Sequence, residues 1–257
     1  MNKAGIQLYT IRDWFDTEEH TVEAFKRLAE IGYTQAQTAG LYSYMTPEKF
    51  AAAAKENGIE FVGTHYDFDL IKNDLEGTIR YHEILGTKNV GIGGMPKEAR
   101  ESKEELLKFI DEANEAAAKL AARGYKFTYH NHSFEFKKID GKTLFDYLIE
   151  GFDKDNITFV LDTYWLQHGG VDIRRMLERL EGRVDILHLK DMGACGENRA
   201  PYITDVGNGN IDFKDIVACA EEHGVKYFVV EQDGNYAVDS ITSAKSCFDH
   251  LKANVMK

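Results

Sequence analysis

The sequence is poor in the residues that mark extracellular, linker-rich or membrane-spanning chains. It contains three cysteines, Cys195, Cys219 and Cys247, and an odd, widely spaced set of this kind argues against a disulfide framework and for a reducing compartment. It also contains three prolines, no Gly/Ser-rich linker and no apolar run near the roughly 18 residues that a membrane span needs. The first residues lack the apolar core of a signal peptide. We therefore expect a cytoplasmic protein with one domain over residues 1–257.

Basic residues are in deficit as well. The 31 lysines and arginines face 43 aspartates and glutamates, so the formal net charge is −12. A protein that follows nucleic-acid phosphates, or that docks on an anionic membrane, needs a basic face, so we expect neither partner. Hydrophobic residues make up 43% of the chain, which is enough to bury a core and argues against disorder. The sequence leaves the oligomeric state, including a homo-oligomer, open.

Short β-branched or aromatic runs alternate along the chain with longer stretches of helical spacing. Glycines such as Gly58 and Gly124 stand between them, where a helix ends before a strand. We predict strands at residues 4–9, 33–38, 59–65, 88–93, 125–131, 157–162, 184–190 and 226–232. The clearest predicted helices lie at residues 17–31, 47–57, 70–85, 102–123, 173–180, 212–223 and 239–255. Eight strand–helix units in a chain of about 250 residues are typical of a (β/α)8 TIM barrel.

The alternative fold is an open, doubly wound parallel sheet. That fold usually carries a Gly-rich phosphate loop after its first strand, whereas the first predicted strand here ends in Gln7-Leu8-Tyr9-Thr10 without glycine. Gly207 and Gly209, which lie between the last two strands, would still allow a ligand to approach the backbone closely. We predict an α/β protein of one domain with the (β/α)8 TIM barrel fold.

Polar side chains end the later strands of the predicted barrel, where catalytic groups of this fold lie. Asp162, His188 and Glu231 each follow an apolar run. Because buried polar groups need partners, a divalent cation shared by the three is favoured over separate roles, such as a helix cap for Asp162 or a core position for His188. On strand 5, His130 and His132 share one face. One of them is predicted to be a ligand and the other a substrate contact or base.

Further candidates surround this set. Lys190 shares the face of His188 and would place a cation beside a developing oxyanion, the alternative being a surface lysine. His65 and Gln37 end the third and second strands and are predicted substrate contacts. Tyr9 and Trp165 would wall the pocket, with core packing as the alternative. Carboxylate and imidazole ligands suit Mn²⁺, Mg²⁺, Co²⁺ or Zn²⁺, and the absence of cysteine from the set argues against a thiolate zinc site.

Five stretches together carry a resemblance to a known family. They are Tyr129–Phe136, Leu161–Trp165, Leu187–Asp191, Asp205–Phe213 and Val229–Asp233. In combination they resemble the xylose-isomerase-like TIM barrels, a superfamily of sugar isomerases and epimerases that also holds inosose dehydratase and endonuclease IV. The resemblance extends over essentially the whole chain.

The resemblance implies one divalent metal ion, with Mn²⁺ preferred, held by an acidic or histidine residue from each of strands 5 to 8. Asp162, His188 and Glu231 match three of the family's ligands, and His130 falls where the family's strand-5 Glu is expected. Gln37 likewise stands where relatives commonly have Glu. The two-glutamate acid/base pair of the ketose epimerases is therefore incomplete, which moves weight towards relatives such as inosose dehydratase.

The expected function is a metal-dependent isomerase or epimerase of a keto- or oxo-sugar that proceeds through an enediolate. Glu231 and either His130 or His132 would move protons, and Lys190 would stabilise negative charge. The first alternative is a lyase that dehydrates an inosose-like or oxo-sugar substrate. A non-catalytic sugar-binding barrel is a further alternative, and the acidic charge disfavours an abasic-site endonuclease.

Overall fold

The computed structural model describes residues 1–40 and 44–257. In this part of the chain a parallel sheet closes around a barrel axis. Eight strands of this described part form the sheet: β1 Gly5–Gln7, β2 Gln35–Ala39, β3 Glu60–His65, β4 Asn89–Ile92, β5 Lys126–His130, β6 Ile157–Asp162, β7 Val184–Leu189 and β8 Tyr227–Val230. Their order is β3-β2-β1-β8-β7-β6-β5-β4. The two end strands meet where Tyr66 N donates to Gly91 O at 2.7 Å. The predicted TIM barrel is confirmed and the open sheet is wrong.

Helices cover the outside of the sheet, as the alternating pattern predicts. The described helices are α1 Glu18–Ile31, α2 Pro47–Glu56, α3 Phe68–Asn73, α4 Leu75–Leu85, α5 Lys103–Ala121, α6 Leu144–Gly151, α7 Thr163–His168, α8 Ile173–Arg179, α9 Phe213–Glu222 and α10 Ser240–Asn254. Two hairpins, Lys138–Ile139 with Lys142–Thr143 and Asp191–Gly193 with Tyr202–Thr204, lie outside the barrel sheet. Among these helices we find none with the length and apolarity that a bilayer crossing requires.

The structure corrects two predicted elements. The helix predicted over residues 70–85 is divided into α3 and α4, because Asp74 ends the first helix and its side chain accepts from Gly77 N to begin the second. The strand predicted over residues 4–9 ends at Gln7, and Leu8–Trp14 forms a 3-10 helix whose start is capped by the Gln7 side chain. Tyr9 therefore lies beyond the strand. Six other predicted strands differ from the observed strands by one or two residues at one or both ends. The strand predicted at 157–162 is observed with the same bounds.

A small apolar layer fills the interior of the barrel. Val62, Val160, Ile186 and Val229 form a buried cluster separate from the main core between sheet and helices. A Cβ atom at Gly63 would lie 2.9 Å from Ile186 Cδ1, so a larger residue there would have to displace this layer. Val160, Ile186 and Val229 each stand two residues before Asp162, His188 and Glu231 on the same strands. The layer is therefore the floor beneath these polar side chains.

A buried histidine ties α4 to the seam between β3 and β4. His82 is fully buried, and its Nδ1 donates to Thr78 O at 2.7 Å. Its Nε2 accepts from the Thr64 hydroxyl at 2.9 Å, and that hydroxyl in turn accepts from Gly91 N on β4. Both ring nitrogens are satisfied by the neutral ring, and burial lowers the pKa of His82 to about 4.

His82 should make the fold lose stability in acid. Its folded-state pKa lies below the value of 6.5 for the unfolded chain, so the unfolded state binds more protons between these values. The contribution of His82 is full above pH 6.5, falls as the pH falls and is worth up to about 3 kcal/mol. In urea titrations, we expect His82→Gln to be less stable than wild type at about pH 7, and this deficit to shrink by about 2 kcal/mol at about pH 4.5.

His168→Gln is the control, because His168 is an exposed histidine at the end of α7 and forms no ion pair within residues 1–40 and 44–257. Its difference from wild type should change little between the two pH values. An equal deficit of His82→Gln at both pH values would show that His82 does not contribute this acid sensitivity.

Candidate metal centre

The carboxyl ends of β5 to β8 bring four ligand-type side chains around one point. His130, Asp162, His188 and Glu231 each place one donor atom within 4.8 Å of the other three, and all four residues are buried. The sheet register explains the convergence, because Asp162 and His188 are direct partners on β6 and β7, and Glu231 follows the last paired residue of β8. Four adjacent parallel strands thus present their polar ends on the same rim.

The four donor atoms are spaced as atoms around a common cation, with a single pair at hydrogen-bond distance. His188 Nδ1 lies 2.8 Å from Glu231 Oε2. His130 Nε2 lies 3.6 Å from Asp162 Oδ2 and 3.8 Å from Glu231 Oε2, which exceeds hydrogen-bond length. Within residues 1–40 and 44–257, Asp162 Oδ2 and His130 Nε2 are buried without any hydrogen-bond partner. Such orphaned groups are costly, so the donor set fits a divalent cation.

Neighbouring groups orient the ligand-type side chains. His188 Nε2 donates to Gln37 Oε1 at 2.5 Å, which directs Nδ1 towards the centre of the set. Asp162 Oδ1 accepts from Trp165 N at 2.9 Å and caps α7, while its backbone N–H donates to Asn131 Oδ1. One oxygen of Asp162 therefore caps a helix, as the alternative interpretation predicts, and the other oxygen faces the donor set.

Lys190 provides the positive charge of the site and is buried, which excludes the surface-lysine alternative. Its Nζ lies 2.5 Å from Asp233 Oδ2, 3.5 Å from Glu231 Oε2 and 3.8 Å from Asp162 Oδ2. Burial alone would lower the pKa of Lys190, but the carboxylates of Glu231, Asp162 and Asp233 raise it above its ordinary value. Lys190 is therefore an ammonium group held among carboxylates.

The two ligand-type carboxylates are affected in opposite directions. Burial raises the pKa of Asp162 well above its ordinary value, because it outweighs the opposing effect of Lys190 and the Glu231 carboxylate raises this pKa further. Burial also acts to raise the pKa of Glu231, but Lys190 and His188 outweigh it and hold that pKa well below its ordinary value. Burial therefore disfavours the ionised form of Asp162, whereas Lys190 and His188 favour the ionised form of Glu231.

Three histidines at the rim are neutral near neutral pH. Burial lowers the pKa of His65 to about 3 and that of His132 to about 4, and it lowers the pKa of His130 well below its ordinary value. His65 Nε2 and His132 Nδ1 have no hydrogen-bond partner among the described residues. Both nitrogens are available to hydrogen-bond with a ligand.

A cavity of about 240 Å³ opens above these side chains. It is lined by Tyr9, Ala39, His65, Gly93, His130, His132, Lys190, Glu231 and Asp233. Of the four predicted substrate contacts, Tyr9 and His65 line this cavity. Gln37 is fully buried and engaged by His188, and the Trp165 ring lies beside the cavity, 5.0 Å from Lys190 Nζ and 5.3 Å from the His132 ring.

Three residues to which the sequence reasoning assigned no role support or line the site. Asp233 pairs with Lys190, and both stand two residues beyond a ligand-type residue on neighbouring strands, so the period of two could have revealed them together. Gln7 Nε2 lies 3.5 Å from His65 Nδ1. Glu135 accepts from the Tyr129 hydroxyl and from His132 N, which anchors the loop after β5; no local pattern predicts these contacts.

Residues 25–253 match the family model described as xylose isomerase-like TIM barrel. Among curated proteins, an inosose dehydratase from Geobacillus kaustophilus (strain HTA426) is 26% identical over 192 residues. The alignment covers 66% of this chain and 61% of that protein, so it spans less than two thirds of the relative's own length.

Solved structures with the same fold include enzymes of two kinds. A sugar phosphate isomerase/epimerase from Parabacteroides distasonis ATCC 8503 superposes with a TM-score of 0.84 at 20% identity, covering 98% of this chain and 94% of that one. A probable 3-DHS dehydratase from Bacillus anthracis superposes with a TM-score of 0.74 at 14% identity, covering 97% and 98%. At these identities the likeness shows a shared fold alone.

Proposed function

We propose an activity from one premise: the chain belongs to the xylose isomerase-like TIM barrel family. Its relatives include sugar isomerases/epimerases and dehydratases. The proposed activity is a divalent-metal-dependent isomerisation or epimerisation of a keto- or oxo-sugar. The observation that carries it is the convergence of four buried donor atoms, two of them otherwise unpartnered in the described structure, beneath a cavity.

The proposed metal ligands are His130, Asp162, His188 and Glu231. Mn²⁺ is the preferred ion, and Mg²⁺, Co²⁺ and Zn²⁺ suit the same mixed set of imidazole and carboxylate donors. When bound, such an ion supplies a Lewis acid that polarises a substrate carbonyl. Gln37 supports the site by holding His188 with its Nδ1 directed inwards.

Side chains that line the cavity would perform the proton transfers. Removal of the proton next to the carbonyl yields an enediolate, for which Glu231 is the proposed base on one face. His132 would take or return a proton on the other face, and the positive charge of Lys190 would stabilise the oxyanion. Tyr9 and His65 would contact the rest of the sugar.

A dehydratase is the second candidate, and the identity with an inosose dehydratase favours it. The same enediolate loses a neighbouring hydroxyl group if a general acid protonates that group as it leaves. His132, which lines the same cavity and is not among the proposed ligands, would be this general acid. The two activities therefore share their first step and differ in the second.

Incubation of the Mn²⁺-loaded protein in D₂O with a panel of free and phosphorylated ketoses and inososes tests the proposal. An isomerase or epimerase should give a product of the substrate's composition with deuterium at the carbon next to the carbonyl. A dehydratase should give a product lighter by one water molecule. Absence of exchange with every substrate, in a protein shown by metal analysis to hold its ion, would contradict the shared proton-abstraction step.

A further inference from the structure

We infer that the site takes an uncharged polyhydroxy ketone, either a free sugar or a cyclic polyol ketone, instead of a sugar phosphate. The inference rests on the proposed function and names the substrate class of the same cavity. Three independent features carry it: the loop after β7, the charge around Lys190 and the unpartnered atoms of the cavity.

The loop between β7 and β8 already holds an anion of its own. In TIM barrels the loops after strands 7 and 8 frequently bind phosphate. Here the carboxylate of Asp191, which is fully buried, accepts from Met192 N, Gly207 N, Gly209 N and Ile211 N at 2.8 to 3.2 Å. A Cβ atom at Gly209 would lie 2.3 Å from Asp191 Oδ1. Gly209 thus leaves room for the protein's own carboxylate, and the amides of Gly207 and Gly209 that it engages are not available to a phosphate.

The positive charge at the cavity is already compensated. Lys190 is the cation among the described residues that line the cavity, and Asp233, Glu231 and Asp162 surround its Nζ at 2.5 to 3.8 Å. Arg12 lies at the rim, where its guanidinium donates to Tyr9 O and Asp233 O and stacks on the Tyr9 ring. The three carboxylates together balance Lys190 and the proposed divalent ion, and the Arg12 guanidinium is engaged by backbone carbonyl groups, so the floor of the cavity carries no excess of positive charge for a phosphate.

The unpartnered polar atoms of the cavity suit hydroxyl groups. His65 Nε2, His132 Nδ1 and Asp233 Oδ1 make no hydrogen bond within the part of the chain that the structure describes. His65 Nδ1 accepts from Gln7 Nε2, so the neutral ring carries its hydrogen on Nε2 and can donate it to a hydroxyl oxygen. The Asp233 carboxylate oxygen can accept the hydrogen of a hydroxyl group. The volume of about 240 Å³ lies below that of drug-sized ligand pockets, which fits a single sugar or cyclic polyol.

The test uses matched pairs of ketoses that differ by a terminal phosphate, with deuterium exchange by the Mn²⁺-loaded protein as the readout. We expect kcat/KM to be at least about tenfold higher for the free sugar. Asp233→Asn removes one negative charge from the mouth and frees Lys190 from its closest partner. The ratio of kcat/KM for free over phosphorylated sugar should therefore fall by about tenfold in this variant.

Asp69→Asn is the matched control, because Asp69 is exposed on α3 away from the cavity and should leave the ratio unchanged. A higher kcat/KM for the phosphorylated member in the native protein would overturn the inference and leave the proposed function standing. An unchanged ratio in Asp233→Asn would overturn the assignment of Asp233. If no member of any pair and none of the inososes of the panel exchanges deuterium, the proposed function fails and the substrate class fails with it.

Discussion

Replacement of Glu231 by Gln should abolish turnover and leave the barrel folded. Glu231 places its carboxylate 2.8 Å from His188 Nδ1 and 3.5 Å from Lys190 Nζ, at the floor of the cavity. The amide has nearly the same shape, so the packing survives, but it neither accepts a proton at neutral pH nor provides a charged ligand. We expect kcat to fall by at least about 10³-fold, which combines a lost base with a weakened ion site.

Deuterium exchange at the carbon next to the carbonyl measures this loss, and circular dichroism with thermal unfolding establishes that the fold is intact. Glu181→Gln is the matched control, because Glu181 is an exposed glutamate before β7 and its change should leave the rate unaltered. Near-normal exchange by Glu231→Gln on the substrate of the native protein would show that the base lies elsewhere.

Loss of the Asp162 carboxylate should empty the metal centre. Asp162→Ala removes both the free Oδ2 and the α7 cap, so its stability should also fall by about 1 kcal/mol. Asp162→Asn separates the two effects, because its oxygen retains the cap while its NH₂ group takes the place of Oδ2 and repels a cation. For both variants we expect Mn²⁺ affinity to fall by at least about 100-fold. This loss is larger than the one expected from changing a residue that only orients a metal ligand.

Titration calorimetry and metal content after dialysis measure this affinity without any need for a substrate. Asp172→Asn is the control, because Asp172 caps α8 in the same way but lies outside the site. Asp172→Asn should hold the ion as the native protein does. Full Mn²⁺ occupancy in Asp162→Asn would remove Asp162 from the ligand set.

The barrel and the composition of its rim can be predicted because both depend on local patterns. Each strand–helix unit carries its own apolar run and helical spacing, and parallel strands bring their carboxyl ends together. Asp162, His188 and Glu231 each end such a run. Once the strands are placed, their meeting at one rim follows, and the structure brings them together with His130.

Contacts between distant positions could not be predicted in the same way. Gln37 lies 151 residues from His188, and no local pattern indicates that its side-chain oxygen is taken up by that imidazole. The course of the chain after Gln7 also depends on a side chain, because its oxygen accepts from Tyr9 N and begins a 3-10 helix where the apolar run predicts more strand. Asp74 divides a stretch whose apolar spacing is continuous. At Gln7 and Asp74, a polar side chain ends an element that the hydrophobic pattern alone would continue.

The seam between β3 and β4 lies outside the four proposed ligand strands, with β4 between it and β5, and this arrangement affects how the site withstands partial opening. The contacts at the seam include side-chain bonds through Thr64 and Asn89, whereas β5 to β8 are joined by backbone ladders with one register shift, between Phe159 and Val160 on β6. A fluctuation that separates the seam would draw His65 out of the cavity while His130, Asp162, His188 and Glu231 stay together. The four proposed ligands would therefore keep their arrangement while the cavity above them is disrupted.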